Sequence, residues 1–331
     1  YNDQTTTTRH RFYSIHRLSR FKTMPTPQSG ITPDANTNAQ FLILTIKENN
    51  SDSLSQIRQT LSGIPELTET LARQYPDARL SATISIGSAA WDRLYSGSKP
   101  GALRPFMAIK DADREAPATP GDLLLHIRSD RKDINFLLMS QVLRLLGNNV
   151  QVQEDISGFR YLDSRDLTGF VDGTENPEGE HRADVALVGE EDSPFAGGSY
   201  IHTQRYVHHL KEWEQCPLKD QETIMGRTKE DNIEFSAEQK APIAHIKRVN
   251  LKDEHGNSME ILRHSMPYGD ARESGLFFIA YGKTPKHFNL MLKAMIKADA
   301  HGHYDHLMNF STPVTGCAFF APSREFLALN N

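Results

Sequence analysis

The chain has 331 residues, of which 38% are hydrophobic and 24% charged, and its formal net charge is −5. This composition is typical of a globular protein with a hydrophobic core, and the charge excludes general electrostatic attraction to nucleic acid or to an anionic membrane. No apolar run approaches the roughly 18 residues that cross a bilayer. Cys216 and Cys317 are isolated and form neither a metal-binding pair nor a disulfide framework. We therefore expect a cytoplasmic protein that binds neither nucleic acid nor membrane.

Residues 1–39 are predicted to lie outside the folded core. The first 23 residues contain several arginines and threonines but no apolar segment of the kind found in secretion signals. Met24, followed by Pro-Thr-Pro-Gln, resembles a natural start. We therefore expect residues 1–23 to be a leader foreign to the natural chain, with a basic transit peptide as the alternative. Residues 24–39 are polar and rich in turn formers, which indicates an arm.

The first half of the chain alternates strand and helix patterns. Apolar or alternating segments predict strands over 41–46, 80–86, 122–127 and 150–161. Apolar residues at helical spacing predict helices over 53–75 and 132–146 and a short helix over 91–94. Together these elements form a predicted N-terminal module over residues 40–161.

The second half repeats this order after a polar, glycine-rich linker over 162–198. Strands are predicted over 200–207, 276–281 and 313–321, and a hairpin over 244–251 and 258–264. Helices are predicted over 286–298 and over 210–225, the latter interrupted by Pro217. These elements form a predicted C-terminal module over residues 199–331.

An internal match supports duplication of one structural unit. The segments 121–138 and 275–292 share a strand-then-helix pattern, and the glycines that begin them stand 154 positions apart, as do Asn135 and Asn289. A strand–helix–strand unit used twice predicts an α+β protein of two ferredoxin-like modules, each with an antiparallel sheet and peripheral helices. A ligand would lie between sheet and helices or between the two sheets.

The linker contains the most informative motif, Gly-Phe-Val-Asp-Gly-Thr-Glu-Asn-Pro at 169–177. Glycine adopts positive φ and lets another group approach the backbone closely. Asp172 is therefore predicted to be a carboxylate held at a fixed angle beside a bulky group. The alternative is an ordinary turn or capping aspartate, which is common for an Asp-Gly pair.

Two further residues stand out in apolar surroundings. His245 lies in Ala-His-Ile-Lys-Arg at 244–248, where it is either a core histidine or a single axial metal ligand. Arg263 lies in Ile-Leu-Arg-His-Ser-Met-Pro-Tyr-Gly at 261–269 and needs an anionic partner, because a buried guanidinium cannot remain unpaired. An internal salt bridge is the alternative for Arg263.

With these motifs in this order, the chain resembles the B-type branch of the dye-decolourising peroxidases. The family signature GxxDG is present as Gly169, Asp172 and Gly173, and the segments 244–248 and 261–269 match the family's proximal-histidine and distal-arginine regions. The resemblance extends over essentially residues 41–326. It implies a homo-oligomer, a dimer or larger, whose C-terminal module binds haem b. The absence of a CxxCH motif indicates that the haem is non-covalent.

The resemblance also implies a reaction and roles for individual residues. The enzyme would reduce hydrogen peroxide and oxidise dyes and other organic reductants. The implied residues are His245 as axial iron ligand, Asp305 as its hydrogen-bond acceptor, Asp172 and Arg263 at the peroxide site, Arg227 as a haem propionate partner, and Ser265 where relatives often have Asn. Asp305 would otherwise be a helix N-cap or a surface acid. Large dyes would be oxidised at the surface, for which Trp91, Trp213 and the ten tyrosines are candidates.

Peroxidase chemistry explains why an acid and an arginine are needed. A base must accept the first peroxide proton and return it to the oxygen that leaves as water. Asp172 is ionised near neutral pH, because the ordinary aspartate pKa is about 3.9, but it is a weaker base than histidine. We therefore expect an acidic pH optimum. Arg263 would stabilise the negative charge that develops on the leaving oxygen.

Two other functions remain possible from the sequence. The chain could be a haem-binding or haem-handling protein whose peroxidase activity is incidental. Alternatively, the cluster His301, His303, Asp305 and His306 could ligate a non-haem metal. The second interpretation leaves the motifs around Asp172 and Arg263 unexplained.

Overall fold

The computed structural model describes residues 24–47 and 50–331. The predicted leader, residues 1–23, lies outside the described residues. The N-terminal half contains the strands β1 Asn38–Ile46, β2 Ser81–Gly87, β3 Ile109–Asp111, β4 Arg114–Ala116, β5 Leu123–Ser129 and β6 Val150–Phe159. Its helices are α1 Ser51–Gln74, α2 Ser88–Leu94 and α3 Lys132–Leu146. The pair β3 and β4 forms a separate two-stranded sheet.

The C-terminal half follows the same alternation. Its strands are β7 Ser199–His208, β8 Leu262–Arg263, β9 Met266–Gly269, β10 Ser274–Gly282, β11 Ser311–Pro313 and β12 Cys317–Ala321. Its helices are α4 His181–Ala186, α5 Leu210–Gln215, α6 Leu218–Met225, α7 His245–Val249, α8 Lys286–Ile296 and α9 Arg324–Leu329. None of the helices in the described ranges is long and apolar enough to span a bilayer.

Local sequence explains where the long helix α1 begins and ends. The Asn50 side chain accepts a hydrogen bond from the Ser53 amide at 2.9 Å, which satisfies one of the free N–H groups at the helix start. Buried residues such as Leu54, Ile57 and Leu61 recur at helical spacing and form the packed face. The helix stops before Pro76, which disfavours helical backbone in the residue that precedes it.

The predicted hairpin over 244–251 and 258–264 is formed only at its tip, where Lys252 and Ser258 make an isolated antiparallel bridge. Residues 245–249 form α7, in which the Arg248 amide donates to the Ala244 carbonyl at 3.0 Å, and only Leu262 and Arg263 of the second segment are in a strand. The apolar residues Ile246 and Val249 are three positions apart, a spacing that places them on one face of a helix. A short apolar segment of this kind is also compatible with a strand, so the sequence alone did not distinguish the two. In the folded protein this segment is helical and packs against α8.

The predicted strand over 313–321 is divided into β11 and β12. Gly316 leaves the β-ladder between them, and its amide donates to the Thr119 hydroxyl at 3.1 Å. The Thr119 amide in turn donates to the Gly316 carbonyl at 2.9 Å. This exchange of hydrogen bonds with a neighbouring loop satisfies the backbone where it departs from β7.

The strands of both halves join in one sheet of ten strands among the described residues. In the N-terminal half the order is β2-β5-β1-β6, and in the C-terminal half it is β12-β7-β10-β9. The pairings β12–β2 and β6–β9 connect the halves, so these eight strands close into a ring. All pairings in this ring are antiparallel. Closure removes exposed sheet edges.

Alternation of side chains along each strand divides the core into layers. On β10, Phe277, Ile279 and Tyr281 belong to a cluster with Phe41 of β1. The alternate residues Leu276, Phe278 and Ala280 belong to a different cluster that includes residues of α8. A helix layer containing α1 and α3 covers the N-terminal strands. The face of β10 that contacts α8 is also the face on which the candidate site lies.

The interior of the ring should contribute strongly to stability. Phe277 is fully buried and its ring stacks on Phe41 with a centroid distance of 4.1 Å. We expect Phe277→Ala to lower the free energy of unfolding by about 3–5 kcal/mol, because it removes buried apolar surface and leaves a cavity. Guanidinium denaturation measures this change. The control Phe136→Ala removes an exposed ring and should change stability by no more than about 0.5 kcal/mol; equal losses would contradict the assignment of the core.

Candidate active site

A cavity lies on the α8 side of β10 and brings distant segments together. Its walls come from the loop after residue 165, from β7 and β10, and from α7 and α8. Among the residues that line it are five of the six predicted from the sequence, namely Asp172, Arg227, His245, Arg263 and Ser265. The sixth, Asp305, does not line the cavity but contacts His245.

The histidine wall depends on one buried carboxylate. His245 is the first residue of α7, and its Nδ1 lies 2.6 Å from Oδ2 of Asp305. Asp305 is fully buried, and its Oδ1 accepts the Leu307 amide at 3.0 Å. Asp305 is therefore both the N-cap of the 3-10 helix His306–Asn309 and the partner of His245. Because an ionised carboxylate only accepts, Nδ1 is the donor and Nε2 of a neutral ring keeps its lone pair free.

The loop that holds Asp172 requires its two glycines. Gly169 and Gly173 adopt φ values of +87° and +85°, which are costly for residues with a side chain. A Cβ on Gly169 would also lie 2.4 Å from Cε of Lys229. The Asp172 amide donates to the Ser164 carbonyl at 2.9 Å. The glycines thus allow a tight path that turns Asp172 into the cavity wall.

Asn176 fastens this loop to the strand that contains Arg263. Its Nδ2 donates to the Arg263 carbonyl, and its Oδ1 accepts from the Arg263 amide, both at 2.8 Å. The amide side chain therefore pairs with β8 as a neighbouring strand would. Asn176 lies inside the motif at 169–177, but the local sequence does not indicate this pairing. This pairing is what puts Asp172 and Arg263 in the same cavity wall.

The charges of this wall affect one another. Burial raises the pKa of Asp172; attraction by the Arg263 guanidinium opposes this effect and repulsion by Asp166 adds to it, so the net pKa lies above its ordinary value. No carboxylate of the described residues lies within 4 Å of the Arg263 guanidinium nitrogens, so the internal salt bridge considered from the sequence is not formed. Arg263 remains able to bind an anion.

Ser265 is occupied by the backbone of the neighbouring strand. Its hydroxyl accepts the Ile279 amide at 3.1 Å and lies 3.5 Å from the Ile279 carbonyl. Strands β8 and β9 both pair with β10, and Ser265 lies between them in the chain. Its side chain therefore makes the contact to β10 where the backbone pairing is interrupted. Ser265 lines the cavity, but its hydroxyl already has backbone partners.

Arg227 is a buried cation with one hydrogen-bond donor that has no partner among the described residues. Its side chain donates to Oδ1 of Asn232 at 2.7 Å, and the carboxylates of Glu175 and Glu234 lie 3.6 and 3.8 Å from Nη2. The buried Nε has no hydrogen-bond partner among the described residues. A buried donor without a partner is costly, so Arg227 suits a ligand that brings an acceptor into the cavity.

A second polar network, which was not predicted from the sequence, lies in the same cavity. Oδ1 of Asp166 lies 3.1 Å from Nε2 of His208, whose Nδ1 lies 2.8 Å from the Ser311 hydroxyl. Oδ2 of Asp166 accepts from the Thr168 amide and hydroxyl at 2.9 and 2.6 Å. Burial raises the pKa of Asp166, but His208 and the hydrogen bonds outweigh it and the net pKa is lowered. The one feature of the sequence that could have indicated Asp166 is its position six residues before Asp172.

The remaining lining suits a large, flat, apolar ligand with acidic groups. Aromatic, leucine, isoleucine and methionine side chains line the cavity between the polar walls, including Phe278, Phe288, Met291, Leu292 and Met295. Together with the unpaired lone pair of His245 and the unpartnered Nε of Arg227, this lining fits a porphyrin with carboxylate substituents. By contrast, within residues 24–47 and 50–331 no three His, Cys, Asp or Glu side chains are grouped so that they could hold a metal ion. The non-haem cluster at 301–306 is therefore not formed.

Comparison with known proteins agrees with this chemistry. The C-terminal family model of the Dyp-type peroxidases matches residues 163–326 and the N-terminal one matches residues 28–160. The chain therefore belongs to the Dyp-type peroxidase family and is a peroxidase, as the sequence predicted. It has the two-domain α+β fold of that family.

Relatives and solved structures cover almost the whole chain. A dye-decolorizing peroxidase of Mycobacterium tuberculosis is 41% identical over 87% of this chain and 86% of its own length. A dyp-type protein from Shewanella oneidensis has a TM-score of 0.89 at 48% identity, covering 92% of this chain and 99% of its own. DyPB from Rhodococcus jostii has a TM-score of 0.88 at 38% identity, covering 92% and 97%. Variants of the Rhodococcus protein have been solved in complex with haem.

The pairing of Asn176 with Arg263 can be tested by its effect on stability. We expect Asn176→Ala to lower the free energy of unfolding by about 1–3 kcal/mol, since it leaves a backbone donor and acceptor without partners. Asn176→Asp keeps the acceptor and loses the donor, so its loss should be intermediate. Guanidinium denaturation gives the values. The control Asn257→Ala, in an exposed turn, should cost no more than about 0.5 kcal/mol, and similar losses in both alanine variants would contradict the pairing.

Proposed function

We propose that the protein is a haem b peroxidase of the B-type branch that reduces hydrogen peroxide and oxidises dyes and other organic reductants. The observation that carries this proposal is the hydrogen bond between His245 and the buried carboxylate of Asp305, because His245 lines the same cavity as Asp172 and Arg263. The similarity to DyPB of Rhodococcus jostii supports the branch. An optical spectrum followed by a peroxide titration tests the proposal as a whole.

The haem would be held non-covalently by residues of the C-terminal half. His245 would ligate the iron through its free nitrogen Nε2, since Nδ1 is held by the Asp305 carboxylate. That carboxylate gives the imidazole anionic character and strengthens it as a ligand. Arg227, whose Nε lacks a hydrogen-bond partner among the described residues, would pair with a propionate. Bound haem supplies the iron that takes up the oxidising equivalents of peroxide.

Asp172 and Arg263 act on the peroxide. Asp172 accepts the first peroxide proton and returns it to the oxygen that leaves as water. Arg263, which has no carboxylate partner of its own within 4 Å among the described residues, stabilises the negative charge on that oxygen. Ser265 lies beside them at the position where relatives often have Asn. Because Asp172 is a weak base even with its raised pKa, the activity optimum is acidic.

We also propose a domain organisation from the strand order. The four main strands of each half follow the same order along the sheet, which supports two ferredoxin-like modules over 40–161 and 199–331. The linker 162–198 contributes Asp172 to the cavity. Residues 24–39 are not a separate arm as the sequence predicted, because Ile31 is fully buried in the core cluster and β1 begins at Asn38. Family resemblance supports a homo-oligomer. The composition and the isolated cysteines support a cytoplasmic location.

A haem-handling role is the second candidate. The deferrochelatase of Escherichia coli is 22% identical over 74% of this chain and 66% of its own length. The higher identity to dye-decolorizing peroxidases, 41% for the mycobacterial relative, favours turnover of peroxide. Iron release measured alongside dye oxidation separates the two: a peroxidase oxidises many equivalents of dye with its haem intact, whereas a haem-handling protein loses haem or iron stoichiometrically.

The iron-ligand assignment predicts how haem binding responds to substitution. We expect His245→Ala to lose stable haem binding and its Soret band, because the axial ligand is absent. Asp305→Asn should weaken haem affinity or activity by about 10–100-fold, as is typical when a hydrogen-bond partner of a metal ligand is removed. His301→Ala serves as a control on an exposed histidine and should retain full haem. A native spectrum in His245→Ala would refute the ligand assignment.

The peroxide-site assignment predicts a loss of reactivity without loss of haem. We expect Asp172→Asn combined with Arg263→Leu to retain haem while the rate constant with peroxide falls by at least about 10²-fold. In the single variant Arg263→Leu, the acidic limb of kcat/KM for peroxide should move to higher pH, because the guanidinium lowers the pKa of Asp172. Stopped-flow mixing over a pH series measures both. A limb that moves to lower pH would contradict the coupling.

A further inference from the structure

A second cavity lies on the other side of α8 from the active site. It is a groove of about 900 Å³ between the loop at 102–110, one face of α8 and the first residues of β7. On α8, Phe288, Met291 and Leu292 line the active-site cavity, whereas Lys286, Asn289 and Lys293 line this groove. We call it the α8 groove. One helix thus separates the two cavities.

The α8 groove is cationic in a chain whose net charge is −5. Its lining contains Arg104, Lys110, Lys286, Lys293 and Lys297 but no aspartate or glutamate. Lys110 has an ion pair with Glu115 at 3.3 Å. Among the described residues, no carboxylate lies within 4 Å of the charged groups of the other four. Lys297 attracts the carboxylate of Asp111, and Lys286 attracts that of Asp253, at longer range. Four of the five cations of the groove therefore have no ion-pair partner among the described residues.

Aromatic and apolar side chains complete the groove. Phe106, Tyr200 and His202 line it, and Met107 at its rim is 75% exposed. His202 is 95% buried, and burial lowers its pKa to about 3, so the ring is neutral. Its nitrogens have no hydrogen-bond partner among the described residues. Rings and a thioether provide the flat, polarisable contacts that an aromatic ligand prefers.

A stack of rings joins the groove to the active site. His202 stacks on Phe288 with a centroid distance of 4.1 Å and an interplanar angle of 22°. Phe288 lies 5.6 Å from Phe278, and both phenylalanines line the active-site cavity. At this point the wall between the two cavities therefore consists of packed aromatic rings.

We propose that the α8 groove binds an aromatic reductant bearing sulfonate or carboxylate groups, and that the reductant gives up one electron across this wall to the active site. The cations recognise the anionic groups, and the ring system lies against Phe106 and His202. Two reductant molecules each lose one electron for every peroxide that is reduced to two molecules of water. The two protons that this reduction consumes come from the solvent, and a phenolic reductant releases its own proton to the solvent. A dye too large for the active-site cavity is then oxidised without entering it. The inference rests on the proposed peroxidase function.

The test combines binding with kinetics on the haem-loaded enzyme. Equilibrium dialysis of naphthalene-2-sulfonate, which is not oxidised, gives Kd. Steady-state oxidation of a sulfonated anthraquinone dye and of uncharged 2-methoxyphenol gives kcat/KM for each reductant. The groove variant is Lys293→Gln with Lys297→Gln. The control, Lys132→Gln with Lys211→Gln, removes the same charge from exposed positions away from the groove. Circular dichroism and thermal unfolding verify that both variants fold.

In the groove variant, we expect Kd for the sulfonate to rise by about threefold to tenfold. The ratio of kcat/KM for the dye to kcat/KM for the phenol should fall by a similar factor, about threefold to tenfold, which is the effect of losing two solvent-facing charge pairs. The difference from wild type should shrink in 0.5 M salt, where such charges are screened. The control variant should keep wild-type values. Wild-type behaviour of the groove variant, or an equal loss with both reductants, would overturn the proposal. A protein that oxidises neither reductant with peroxide would instead contradict the proposed peroxidase function.

Discussion

The buried carboxylate of Asp305 is the constraint on which the rest of the site depends. A charge fully removed from water must be paired, and here its two oxygens are shared between the Nδ1 of His245 and the Leu307 amide. This pairing sets the tautomer of the imidazole and leaves the lone pair of Nε2 free. The position of α7, packed against α8, and the proposed iron chemistry both follow from where that imidazole is held.

The other wall is built from a loop that needs an anchor. A tight turn with two glycines at positive φ costs conformational entropy and has little core of its own. Asn176 supplies the anchor by pairing with the backbone of Arg263. The motif therefore has two roles: Asp172 and Gly173 line one wall of the cavity, and Asn176 attaches this wall to strand β8. A substitution of Asn176 would therefore change the position of Arg263 through its backbone.

The closed sheet explains how one helix can serve two cavities. Alternate residues of β10 point into the ring or toward α8, so the strand both completes the core and provides Phe278 to the active site. Helix α8 contacts this strand through its apolar face and presents lysines on the opposite face. The aromatic contact between His202 and Phe288 then crosses the wall between the groove and the active site.

The sequence by itself determined the strand and helix order, the duplication and most of the candidate site, because these features depend on local patterns. Glycines around Asp172 and the apolar setting of His245 and Arg263 are visible without coordinates. Only tertiary structure decided what those residues contact. His245 and Asp305 are 60 positions apart, and α7 is helical where spacing alone fitted a strand equally well. The Asp166–His208 network and the α8 groove likewise consist of ordinary polar residues, whose proximity arises from long-range packing that no local pattern encodes.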